Sequence, residues 1–382
     1  MKPFSSLALI ATLLAGPAAA VEYTVQTCAD LADVDDTMAT VLTIDSSTFA
    51  CDEYTRFRVR NTMTLKATAD SVDFSNFSLK VFGDLTVEPD VVFTGVVDQV
   101  KNGGVLYVAE GASATFMGSS EFNDNSVMIK QIGPISCGDN CTRIGRGLSY
   151  IVKKGGAIHN KGMLTFEGDA SFARNEVHTE DSVEQGKGGA ISNHGSGSIY
   201  FKGKLMMEEN SADGFFEGLG GGIYTRGNIV VDGESEISQN RASDGGGIYQ
   251  TSIGTLTFNG MATFTENSAY ELRGGGFFNG GGVVDFNGGS LFEANGASGS
   301  GDGGLGGAFY NGDEGVVTLT GPTTFSSNGA YWGGAIYTDD GDAEEGEAAS
   351  TTTFPADTVF VDNSAEYCPD VHNGDNDNCP EV

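Results

Sequence analysis

Two small motifs recur along this chain, a paired glycine leading into an apolar strand and an asparagine placed three residues after an apolar side chain. The glycine motif reads Gly155-Gly156-Ala157-Ile158, Gly188-Gly189-Ala190-Ile191, Gly221-Gly222-Ile223-Tyr224 and Gly246-Gly247-Ile248-Tyr249. It continues as Gly275-Gly276-Phe277-Phe278, Gly306-Gly307-Ala308-Phe309 and Gly333-Gly334-Ala335-Ile336. The second motif sets Phe172, Met207, Ile237, Phe264, Phe292, Phe325 and Phe360 before Asn175, Asn210, Asn240, Asn267, Asn295, Asn328 and Asn363. Successive asparagines lie 27 to 35 residues apart, and self-similarity at that period means a solenoid or array of stacked units.

Within each unit the apolar residues alternate, as in Thr255-Leu256-Thr257-Phe258 between Gly254 and Gly260. That is the period of a strand. Glycine at each corner also opposes helix, costing about 1 kcal/mol against alanine in a helix interior. Three short strands joined by turns make one coil, and stacked coils pair in parallel about 4.7–4.9 Å apart. Parallel crossovers are right-handed. The expected fold is therefore all-β, a right-handed parallel β-helix of about ten coils with disulfide-stapled ends. Asparagine at one corner of every coil predicts a ladder that satisfies turn amides. Phe172, Phe264, Phe292, Phe325 and Phe360 then stack inside.

Residues 1–20 have the charged start (Lys2), apolar middle (Leu7 to Ala15) and small-residue end (Ala18-Ala19-Ala20) of a secretory signal. An N-terminal cap is expected over 21–60, with a short helix from Ala29 to Met38 before a strand over Thr40 to Asp45. The β-helix is expected over 61–365 with a loop insertion at 127–152, and a cap or tail over 366–382. No later run approaches the roughly 20 apolar residues of a membrane span, so the protein is expected to be secreted, extracellular or at a cell surface. Six cysteines suit an oxidising compartment. Proximity suggests Cys28 with Cys51, Cys137 with Cys141 and Cys368 with Cys379, although six allow 15 connectivities. Asn76-Phe77-Ser78 and Asn140-Cys141-Thr142 are glycosylation acceptors in a eukaryotic source.

The formal charge of −32 excludes simple nucleic-acid binding, which needs a basic footprint. It keeps an edge-rich β protein soluble, with cation binding or affinity for a positively charged surface as the alternative.

The GGA[I/V] and FxxN motifs, with a divergent first copy in Gly103-Gly104-Val105-Leu106 and Phe122-Asn123-Asp124-Asn125, resemble the repeats of chlamydial polymorphic outer membrane proteins. The resemblance covers about Gly103 to Asn363. It implies a pectin-lyase-like right-handed β-helix at a cell surface in an adhesive role. Those proteins end in a transporter barrel. Here no ten-residue alternating strands follow Cys368, and a secreted or surface-associated passenger is expected.

Two candidate binding features stand out. The insertion gathers Lys130, Arg143 and Arg146 around Cys137 and Cys141, followed by Lys153 and Lys154, a patch suited to sulfate or uronate groups. The rings of Tyr224, Tyr249, Phe278, Tyr310 and Tyr337 form a stripe. Pointed outward it would suit sugar faces or a protein partner. Alternation alone leaves its direction open. Catalytic residues are not expected. Ordered Asn-Thr-Asp, Asp-Asp and Gly-His-Gly elements are absent, and His159, His178, His194 and His372 have no metal-ligand spacing. No cofactor is expected, with Ca²⁺ at Asp370, Asp375 and Asp377 as an alternative to a disulfide-closed polar tail. The function expected is non-catalytic adhesion or binding of extracellular polysaccharide or a cell-surface or matrix protein. A uronate-lyase-like enzyme on the same fold and a structural wall or coat protein are the alternatives.

Overall fold

A single coil shows how local sequence becomes fold. Thr255–Phe258 is a strand that buries Leu256 and Phe258 and turns its threonines outward. After Gly260 the chain enters Ala262–Thr265, burying Ala262 and Phe264. Glu266 then adopts φ 55°, a left-handed conformation, and bends the chain at Asn267. A two-residue strand, Ser268–Ala269, leads to the glycine corner and to Phe277–Gly280. The next strand, Val283–Phe286, lies in register on Thr255–Phe258, with Leu256 opposite Val284 and Phe258 opposite Phe286.

Repetition of this coil makes a right-handed parallel β-helix in the computed structural model, which describes residues 20–98, 103–128, 151–178, 184–214, 217–251, 253–299, 304–341, 348–374 and 379. Among these residues one column of twelve strands runs from Val21–Val25 to Thr351–Thr353. The strands before the asparagines and those after the glycine corners form two further columns. They merge into one 20-stranded sheet because Thr48–Val59 and Ser71–Val81 run through the corner between them. A seven-stranded column of two- and three-residue strands follows the asparagine turn.

Coiling begins earlier than the expected boundary at residue 61. Val21–Val25 pairs in parallel with Thr40–Ile44, and that strand with Met63–Ala67. Between them, Cys28–Asp33 forms a 3-10 turn that buries Leu31, in place of the longer helix expected from Ala29 to Met38. Cys28 is bonded to Cys51 and Cys368 to Cys379, near the two ends.

In-register stacking places like on like. Phe264, Phe292, Phe325 and Phe360 stack with ring centres 4.9–5.0 Å apart, and a second stack joins Phe116, Phe166 and Phe201. Each buried ring contributes roughly 1.5–3 kcal/mol, with about 0.5–1.5 kcal/mol more from ring–ring geometry.

The paired glycines do two separate jobs. Gly306 has φ 67°, and a Cβ on Gly307 would drive into the carbonyl of Gly334 on the next coil. Where three glycines occur, the working pair sits one residue earlier than the motif suggests. Gly220 carries the positive φ and Gly221 the close approach, leaving Gly222 in the place of Ala190.

Candidate functional site

The strand after each glycine corner turns its first residue into the core and its second to the other side. Stacking therefore aligns the second residues of many coils in one outward column. Register places Arg58, Lys80, Tyr107, His159, Ser192 and Tyr224 in line. The column continues through Tyr249, Phe278, Tyr310, Tyr337 and His372. Beside it, the residues before the glycine corners form a second column, with Lys154 and Lys187 at its start and Leu305, Trp332 and Tyr367 at its end.

The C-terminal half of this face is aromatic and covered. Tyr224, Tyr249, Phe278, Tyr310 and Tyr337 stack at 4.4–5.6 Å between ring centres. They point away from the main core, yet Phe278, Tyr310 and Tyr337 form a buried cluster of their own with Tyr249, Leu305 and Trp332 packed against it. Arg273 lies 4.7 Å over the Phe278 ring, and burial pushes the Tyr249 and Tyr310 hydroxyls well above their usual range. The stripe thus points away from the main core, a direction that alternation left open, yet it is no open platform, because Arg273, Leu305 and Trp332 before the glycine corners pack across the rings.

The N-terminal half is cationic and open. Arg58, Arg60, Lys80 and Phe82 line a shallow recess of about 400 Å³. The Lys80 ammonium stands 5.1 Å from the Phe82 ring centre and 4.9 Å from that of Tyr107. Partial burial, then Arg56 and Arg58, pull the Lys80 pKa down. Further along, Lys154, Lys187, His194 and Arg226 surround a recess of about 220 Å³ walled by His159, Ser192 and Tyr224. Lys187 sits 4.8 Å from the Tyr224 ring centre. Burial lowers the pKa of Lys154 and of Lys187, and neighbouring cations add to the effect. Like charges are here held together in a chain of net charge −32.

The asparagine corner is an internal ladder. The side-chain amide of Asn175 donates to Asn210 Oδ1, that of Asn210 to Asn240 Oδ1 and that of Asn240 to Asn267 Oδ1, at 2.9–3.0 Å. The run extends through Asn295 and Asn328 to Asn363, and Asn125 joins it at the N-terminal side. These side chains hold turns. A second, shorter ladder escaped the sequence reading. Asn160 donates to Asn193 and Asn279 to Asn311, each at 2.9 Å, one residue after the outward column. Its signal was weak because Thr225, Gln250 and Thr338 interrupt the asparagines at matching positions.

The remaining candidates are dispersed. Lys130, Arg143, Arg146, Cys137 and Cys141 lie outside the described residues, as do Asp375 and Asp377. Asp370 accepts a hydrogen bond from Asn363. Asn76 donates its amide to the Cys51 carbonyl, and its sequon partner Ser78 is buried in the same strand. Glu176, His178 and Asp213 bring three ligand atoms within 4.8 Å of one another. The sequence concealed this group, since His178 and Asp213 meet only across two coils. Among the described residues no helix is long and apolar enough to cross a membrane.

Residues 322–339 match the model of the Chlamydia polymorphic membrane protein repeat. This segment contains Phe325 and Asn328 and the Gly333-Gly334-Ala335-Ile336 corner, so it joins both motifs in one repeat. No curated protein and no solved structure matches the chain.

Proposed function

We propose that this chain is a non-catalytic β-helix repeat protein of the cell surface or extracellular space, binding an acidic polysaccharide along the side face formed by the strands after its glycine corners. The observation that carries this is the cationic half of that face. Arg58, Lys80, Lys154, Lys187 and Arg226 are gathered there by coil register while the chain as a whole is strongly acidic. A regular array of coils offers a polymer repeated contacts at about 4.8 Å steps. Opposite charge supplies steering and register. The buried tyrosine stack stiffens the face and is not itself the contact surface.

Binding of the purified chain to arrayed polysaccharides and matrix proteins tests this. Retention is expected on acidic polysaccharides, falling as salt screens the exposed charges and falling further in Arg58→Glu/Lys80→Glu. Retention on neutral glycans alone, or on nothing, overturns it.

A further inference from the structure

We propose that the recess bounded by Lys154, Lys187 and Arg226 binds one acidic sugar residue, its carboxylate or sulfate held by the three cations and a hydroxyl donating to His159 Nε2. This rests on the side-face reading above and names the group that the face recognises.

His159 is the centre of the argument. The residue is 1 % exposed, and its Nδ1 lies 3.2 Å from the Ser192 carbonyl oxygen. A carbonyl only accepts, so Nδ1 carries the proton and Nε2 is left as a bare acceptor. Nε2 is buried and has no hydrogen-bond partner among the described residues, and His159 is one wall of the recess. A buried polar atom without a partner calls for an explanation, and a ligand hydroxyl supplies one. Burial, with Lys154 and Lys161 close by, holds the His159 pKa down at about 3. The ring is therefore neutral and receptive to a donor at ordinary pH.

The cations argue for the other half of the ligand. Among the described residues Lys154 and Arg226 make no ion pair, and the Lys187 ammonium meets only the ring and hydroxyl of Tyr224, the latter at 3.5 Å. Glu217, the carboxylate that acts on Lys187 electrostatically, accepts instead from Gln185. Glu110 acts on His194 from a distance. The site thus holds an excess of positive charge around an acceptor. A simple inorganic anion answers the charge and leaves Nε2 unserved; a neutral sugar does the reverse. A uronate or sulfated sugar answers both. The volume, about 220 Å³, is below the roughly 300–1,000 Å³ of ordinary small-molecule pockets, which suits one residue of a chain that continues along the face.

The test is calorimetric titration of the whole protein with glucuronate, glucose and sodium sulfate at low ionic strength, with ¹⁵N-histidine spectra recorded alongside. Glucuronate is expected to bind at least about tenfold more tightly than either control, because glucose lacks the charge-assisted contacts and sulfate lacks the hydroxyl that serves Nε2. Its binding should shift the His159 Nε2 resonance. Arg226 is exposed, so Arg226→Gln keeps the fold and should weaken glucuronate about tenfold, as should Lys154→Met. Glucuronate binding no tighter than glucose or sulfate overturns the site, as does an unmoved Nε2 resonance at saturation. If glucuronate fails while acidic polysaccharides are still retained on the array, the recess is wrong and the side-face reading stands. If both fail, both fall.

Discussion

Arg273 donates to Asp244 Oδ2 at 3.2 Å between neighbouring coils while its guanidinium covers the Phe278 ring at 4.7 Å. The Asp244 side chain is fully buried and also accepts the Arg273 backbone N–H at 2.8 Å. The pair roofs the aromatic stack, and its value lies in mutual neutralisation. Arg273→Met should destabilise the protein by about 3–5 kcal/mol, since it strands a buried carboxylate. Arg273→Met/Asp244→Asn should recover most of that loss. Urea unfolding of the four proteins measures the coupling, and equal losses in the single and double variants would remove this account.

The asparagine ladder should be strongest in its middle. Asn240 donates to the Met207 and Ser238 carbonyls and to Asn267, and accepts from the backbone and side chain of Asn210. Asn240→Ala leaves several of these buried partners unpaired, at about 1–3 kcal/mol each before relaxation. A loss of about 2–4 kcal/mol is expected by chemical denaturation. Asn363, half-exposed at the end of the ladder, should lose less than half as much.

Glycine substitutions should separate the two kinds of close approach. Gly307→Ala meets the Gly334 carbonyl, whereas a Cβ at Gly296 meets nothing nearer than 3.9 Å. The first should cost more than about 2 kcal/mol; the second should be neutral or stabilise by about 0.4–1 kcal/mol through the unfolded chain. Thermal melting of the two variants decides it, and a Gly307→Ala protein melting at the parent temperature would show that the coils have slack.

Burial of His159 makes a pH-dependent contribution to stability. Its folded pKa, down at about 3, lies below the ordinary value of 6.5. Between those values the unfolded chain binds the extra proton, so stability rises with pH through the window and is lost as pH falls. The slope is about 1.4 kcal/mol per pH unit inside it. His159→Phe should abolish this component, making the gap between the two proteins change by about 2 kcal/mol from pH 7 to pH 5. Unfolding free energies at those two pH values measure the gap; parallel pH profiles would contradict it.

Much of the scaffold was legible in the chain because its causes are local. Alternation in Thr255–Phe258 names a strand, and Phe264 with Asn267 names an inward ring and a corner. The left-handed residue before each asparagine was not legible. Glu266, Ala294 and Ser327 share φ of 54–58° but no side-chain type, since the turn is imposed by stacking and by the ladder. In Gly220-Gly221-Gly222 three glycines offer no internal phase; it is set across the coil, where the Gly246 carbonyl stands closer to a Cβ on Gly221 than the Gly247 carbonyl does to one on Gly222.

A stack of parallel β coils with asparagine and glycine corners follows from the chain alone, because those features arise from the strand period and from backbone sterics within a single repeat. What each face presents was decided by the tertiary structure. Lys154, Lys187 and Arg226 are 33 and 39 residues apart in the chain, and no local rule relates them. They surround one recess because each coil returns to the same register about 4.8 Å further along the axis. The tyrosines follow the same logic with the opposite result. Alternation set them opposite their inward neighbours without choosing a direction; the direction and the covering by Arg273, Leu305 and Trp332 of neighbouring coils exist only once the coils have stacked.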